Sequence, residues 1–70
     1  MMRAVADFDQ ALKLDPQFAK AYCGRGLALL MQDKLPEAEV DFARCRALGG
    51  QPTQKTEDLL REAKKRLTQH

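Results

Sequence analysis

Apolar residues recur along this chain at the spacing of a helix face, and no stretch shows the alternation of a half-buried strand. In the first pattern Met1, Ala4, Val5, Phe8, Ala11 and Leu12 share one face, while Arg3, Asp7, Gln10 and Lys13 fall elsewhere. Asp15-Pro16 ends it, because proline disfavours helix in the residue before it and fits the first turn of a following helix. The second pattern is apolar on two sides. Phe18, Tyr22 and Leu29 fall on one; Cys23, Leu27, Leu30 and Met31 fall roughly opposite, with Lys20 among them. A helix of this kind must be covered on two sides. Between them lies a flank of small residues, Ala21, Gly24 and Ala28, which lets a neighbouring helix approach closely. Gly24 and Gly26 each cost about 1 kcal/mol relative to alanine inside a helix, so close packing must offset them.

Asp33-Lys34-Leu35-Pro36 reads as the next turn, with Pro36 at the first helical position and Glu37 and Glu39 suiting the positive end of the helix dipole. Ala38, Phe42, Cys45 and Leu48 then share a face, and Asp41, Arg44 and Arg46 mark polar positions. Gly49-Gly50 supplies the stop. A last helix starts near Thr53 or Thr56, either of which can cap it, and carries one narrow stripe of Leu59, Leu60, Ala63 and Leu67. The pattern predicts helices over about 2–14, 17–31, 36–48 and 54–67, with Phe8, Tyr22, Leu29, Ala38 and Phe42 in the core.

One segment repeats. Ala4-x3-Phe8-x2-Ala11 matches Ala38-x3-Phe42-x2-Cys45 at an offset of 34 throughout. That is the period of the tetratricopeptide (TPR) family. Ala11-Leu12-Lys13-Leu14-Asp15-Pro16 resembles the ending of its repeat. Ala21-Tyr22-x-x-Arg25-Gly26-x-Ala28 resembles its first-helix signature, and Ala38 and Phe42 fill its second-helix slots. The resemblance covers about residues 1–48. It departs at Cys45, where the family commonly has alanine, and at Gly49-Gly50, which replaces the Asp-Pro ending.

The resemblance implies an all-α TPR-type array of helical hairpins, a fragment of a right-handed α-solenoid. Residues 1–15 match the second helix of a partial repeat, 16–48 a full repeat, and 53–68 a polar-backed capping helix. It implies a protein–protein interaction module whose concave groove, at Lys20, Cys23, Gly24, Leu27 and Met31, takes a protein or peptide partner. Family members that grip acidic peptide C-termini use a clamp of Lys, Arg and Asn. Lys20 fits that clamp, but Gly24 stands where it wants a longer polar side chain, which removes bidentate carboxylate capture. The alternative is a structural unit that pairs with a second copy, because Val5, Phe8 and Leu12 on the first helix lack the helix that precedes it in a full repeat. Such repeats need about three copies for independent stability.

Composition and charge narrow the rest. The chain has 70 residues and a net charge of +2. Residues 1–52 hold seven basic and seven acidic groups, and residues 53–70 hold five and three, so the whole excess lies on the last helix. Arg61, Lys64, Lys65 and Arg66 there read as a solvated face that favours the helix dipole, not as a nucleic-acid site. Two cysteines make no disulfide framework, and Cys23 and Cys45 read as free thiols in a reducing compartment, hence a cytoplasmic protein. No apolar run approaches the length of a membrane span and no signal peptide is visible. No metal or cofactor is expected, since two Cys and the terminal His70 match no zinc spacing. No catalysis is expected either: a cysteine nucleophile lacks a base nearby, and the acidic groups are scattered.

Overall fold

In the computed structural model the backbone is described over residues 2–68 and the side chains over residues 4–66. Four helices follow one another: α1 (Met2–Leu14), α2 (Ala19–Met31), α3 (Leu35–Ala47) and α4 (Gln54–Thr68). No strand occurs among the described residues. α2 is the centre of the array. It packs on each of the other three helices, α3 and α4 also meet, and among the described residues α1 packs on α2 alone. The result is an all-α run of helical hairpins with overall extents of 39 × 25 × 18 Å.

The turns follow from local chemistry. α2 begins two residues later than the pattern predicts, because Asp15 holds a turn of its own. Its Oδ1 accepts the Gln17 backbone N–H at 3.1 Å, and its carbonyl accepts the Phe18 N–H at 3.1 Å. Both α2 and α3 end in the paired bonds of a Schellman motif. After α2, Asp33 N–H donates to the Leu30 carbonyl at 3.1 Å and Lys34 N–H to Leu29 at 2.9 Å, with Asp33 at φ 61°. After α3, Gly49 N–H donates to Arg46 at 3.0 Å and Gly50 N–H to Cys45 at 2.9 Å, with Gly49 at φ 91°. Thr53 is the cap of α4, its Oγ1 accepting the Thr56 N–H at 3.2 Å.

The core is Leu30, Leu35, Ala38, Phe42 and Leu60, with Cys23, Leu27, Leu29 and Ala63 packed against it. Phe42 and Ala38 are fully buried. Burying a phenylalanine of this kind stabilises by ~1.5–3 kcal/mol. The two helical glycines are explained by the rings they face. A Cβ on Gly26 would stand 2.9 Å from Cε1 of Phe42, and one on Gly24 would overlap the ring of Phe8.

The core differs from the predicted one at several places. Phe8, Tyr22 and Leu29 are only half-buried. Phe8 has α2 alone to cover it, and Tyr22 lies under two guanidinium groups, 5.5 Å from Arg25 and 5.9 Å from Arg44. Leu35, assigned to a turn, opens α3 and is buried. On α4 the inward stripe is Thr56, Leu60 and Ala63, and Leu59 is exposed. A helix of 3.6 residues per turn cannot point both Leu59 and Leu60 at one neighbour, and Leu60 wins. The predicted roles of Met1, Leu67 and His70 fall outside the described side chains.

Candidate functional site

Of the expected groove residues, α2 brings Lys20, Cys23, Gly24 and Leu27 to one concavity of about 340 Å³. These positions are spaced i, i+3, i+4 and i+7, one face of a helix. The opposite wall is the α3–α4 connection: Gly50, Pro52 and the capping pair Thr53 and Thr56. Pro52 and Thr56 are buried, which holds that wall rigid. Lys20 is exposed at the rim. Met31 does not line this concavity; it lies at the last turn of α2 and is 56% exposed. The sequence pattern gave no sign of the loop wall, because the loop's approach to α2 depends on the Schellman turn at Gly49.

Gly50 makes that approach tight. A Cβ there would stand 2.9 Å from both the Ala19 Cβ and the Cys45 Sγ. The floor beside it corrects the sequence reading: Cys23 and Cys45 are not free thiols but a disulfide, with Cα atoms 5.4 Å apart. Antiparallel packing of α2 on α3 sets the two Cβ atoms face to face, a relation that a separation of 22 residues does not show. With the free thiols goes the argument for a reducing compartment.

A second feature is an ion triad. Arg25 donates from Nε to Asp41 Oδ2 at 2.8 Å and from Nη2 to Asp41 Oδ1 at 2.9 Å, a bidentate fork. Its Nη1 donates to Asp9 Oδ1 at 2.6 Å. One arginine thus ties α1, α2 and α3 together. Asp41, read from the sequence as a polar surface position, is 3% exposed. The hydrogen bonds to Asp41 foremost, with those to Asp9 and both charges, hold the Arg25 pKa above its ordinary value against the opposing effect of burial. The 34-residue repeat offered no hint of the pair, because Arg25 and Asp41 lie on different helices of one repeat.

The residues expected to meet a second copy are divided. Leu12 is buried within its own chain, Phe8 lies against Gly24, and Val5 is half-buried beside a shallow groove that also touches Leu29 and Val40. On α4, Lys64 pairs with Glu39 at 2.9 Å and Arg61 with Asp58 at 3.7 Å, so the basic helix is partly neutralised in place. No group of three or more His, Cys, Asp or Glu gathers among the described residues. Among the described residues no helix is long and apolar enough to cross a membrane.

Four consecutive helices packed as hairpins define the class: an all-α helical hairpin array. The sequence model described as "TPR repeat" matches residues 3–33, which takes in α1, the Asp15 turn and α2. That match supports a tetratricopeptide repeat assignment for residues 3–33. No curated protein and no solved structure matches it. TPR repeats are in general protein–protein interaction modules, without catalytic machinery of their own.

Proposed function

We propose that this chain is a non-enzymatic binding module that takes a peptide segment of a partner protein in the groove between α2 and the α3–α4 connection. The observation that carries this reading is the convergence of Lys20, Cys23, Gly24 and Leu27 on one concavity with a rigid opposite wall. Its volume of about 340 Å³ is at the small end of ligand sites, which run from ~300 to 1,000 Å³, so it suits one or two side chains of a peptide. Leu27 and the disulfide give it an apolar floor, and Lys20 gives its rim a positive charge that favours an acidic group. Gly24 cannot carry the longer side chain that a bidentate carboxylate clamp needs, because the Phe8 ring occupies that space. The peptide's carboxylate is therefore met by a single ammonium, and apolar contact supplies the rest.

The test uses an array of acidic and apolar peptides, with the tightest binder titrated into ¹⁵N-labelled protein. Amide shifts are expected at Lys20, Cys23, Gly24, Leu27, Gly50, Gln51 and residues 53–56. Lys20→Ala is expected to weaken binding two- to fivefold, the worth of one exposed charge contact of ~0.4–1 kcal/mol. Arg61→Ala, on the far side of α4, should leave it unchanged. Equal losses from both substitutions would move the site onto α4.

A further inference from the structure

The Cys23–Cys45 bond lies where breaking it changes the groove. Both cysteines line the concavity beside Lys20, Gly24 and Leu27, but their surroundings differ. Cys23 is half-buried on the α2 side, whereas Cys45 of α3 is 1% exposed. The Cys45 sulfur is hemmed in by the α3–α4 connection. A Cβ on Gly50 would stand 2.9 Å from it, and the Gly50 N–H donates to the Cys45 carbonyl at 2.9 Å, which holds the connection against the cysteine. The internal repeat sets alanine, Ala11, at the position 34 residues before Cys45, so the cross-link is an addition to the repeated pattern. Two unbonded thiols need van der Waals separation, which bonded sulfurs lack. Cys45 has no room to give it, and Cys23 borders open space. Reduction therefore turns the Cys23 thiol into the concavity.

We infer that the Cys23–Cys45 bond is a redox gate on the groove. The oxidised chain admits a peptide side chain, and the reduced chain fills that space with the Cys23 thiol. The gate rests on the peptide reading of the groove given above. Its reductant is a dithiol. One thiolate of the dithiol attacks the Cys23 sulfur, the one reached from solvent; the protein S–S bond breaks, a mixed disulfide forms, and Cys45 leaves and takes up a proton. The second thiol of the reductant, deprotonated, attacks the reductant's own sulfur in the mixed disulfide and expels Cys23, which takes up the other proton. Two electrons and two protons pass to the protein, and the reductant departs as a disulfide. Lys20, three residues before Cys23 on the same face, lends its positive charge to the incoming thiolate and to the departing Cys23 thiolate.

The test compares the oxidised chain with the chain reduced by dithiothreitol and kept free of oxygen. Helical circular dichroism is expected to persist on reduction. A short pulse of iodoacetamide, read by peptide mass spectrometry, should label Cys23 at least ~10-fold faster than Cys45. The tightest binder from the peptide array should bind the reduced chain at least ~10-fold more weakly, the low end of what one buried aliphatic side chain is worth. Linkage is reciprocal, so that peptide should lower the midpoint potential of the bond by ~30 mV. Equal labelling of the two thiols, or peptide affinities of the two forms within about threefold, overturns the gate. So does loss of helix on reduction, since unfolding would then be the response. An array without a binder for the oxidised chain sinks the groove reading instead, and the gate then stands or falls on the labelling.

Discussion

Replacing Arg25 by methionine removes the cation that α2 places between two carboxylates. The two partners are not equivalent. The Asp41 side chain is 5% exposed and the Asp9 side chain 55%. After the substitution Asp9 is simply solvated, whereas Asp41 stays buried between α2 and α3 with only Arg44 near it, at 3.8 Å. Breaking a buried ion pair from one side costs ~3–5 kcal/mol, because the remaining charge is desolvated without compensation. Against a total stability of ~5–15 kcal/mol, and toward the low end for 70 residues, Arg25→Met should leave the protein barely folded. Asp9→Asn should cost only ~0.2–1 kcal/mol. The double substitution Arg25→Met with Asp41→Leu removes both buried charges and should recover most of the loss. Urea unfolding followed by circular dichroism measures all three. A loss below ~1 kcal/mol for Arg25→Met, or equal losses for Arg25→Met and Asp9→Asn, would refute the triad as a buried tie. The raised Arg25 pKa gives a sign as well. A cation whose pKa is held above its unfolded value contributes its full stability below that unfolded value and loses it only at stronger alkali, so arginine titration should not erode stability between neutral pH and pH ~10.

Two further outcomes are expected. Gly26→Ala gains ~1 kcal/mol of helix propensity but drives a methyl to 2.9 Å from the fully buried Phe42 ring, where overpacking costs ~1–3 kcal/mol. A lower thermal midpoint is the expected result, and a raised one would mean that the ring has room to move. Reducing Cys23–Cys45 opens a cross-link spanning 22 residues and should cost ~3 kcal/mol in the chain-entropy account. Thermal melts with and without a phosphine reductant read it directly, and native protein whose thiols all label without reductant would count against the bond.

The sequence by itself determined the number of helices, their order and the repeat. Helix periodicity, the Asp15-Pro16 and Gly49-Gly50 stops and the offset of 34 are properties of neighbours along the chain, and each helix boundary followed to within two residues. The glycines of α2 were legible too, because a helix that tolerates two of them must be packed closely. Lys20, Cys23, Gly24 and Leu27 share one helical face by their spacing alone, and the structure turns that face to one concavity. Only the tertiary structure decided how these faces meet. Which leucine of α4 turns inward, whether Asp41 is surface or core, and whether two thiols are strangers or a bond all depend on the angle and register between helices. Periodicity fixes the face a residue occupies on its own helix and is silent about what lies opposite. The Arg25 triad shows the difference: its charges lie sixteen residues apart on either side, and only the stacking of α1 and α3 on α2 brings them within hydrogen-bonding distance.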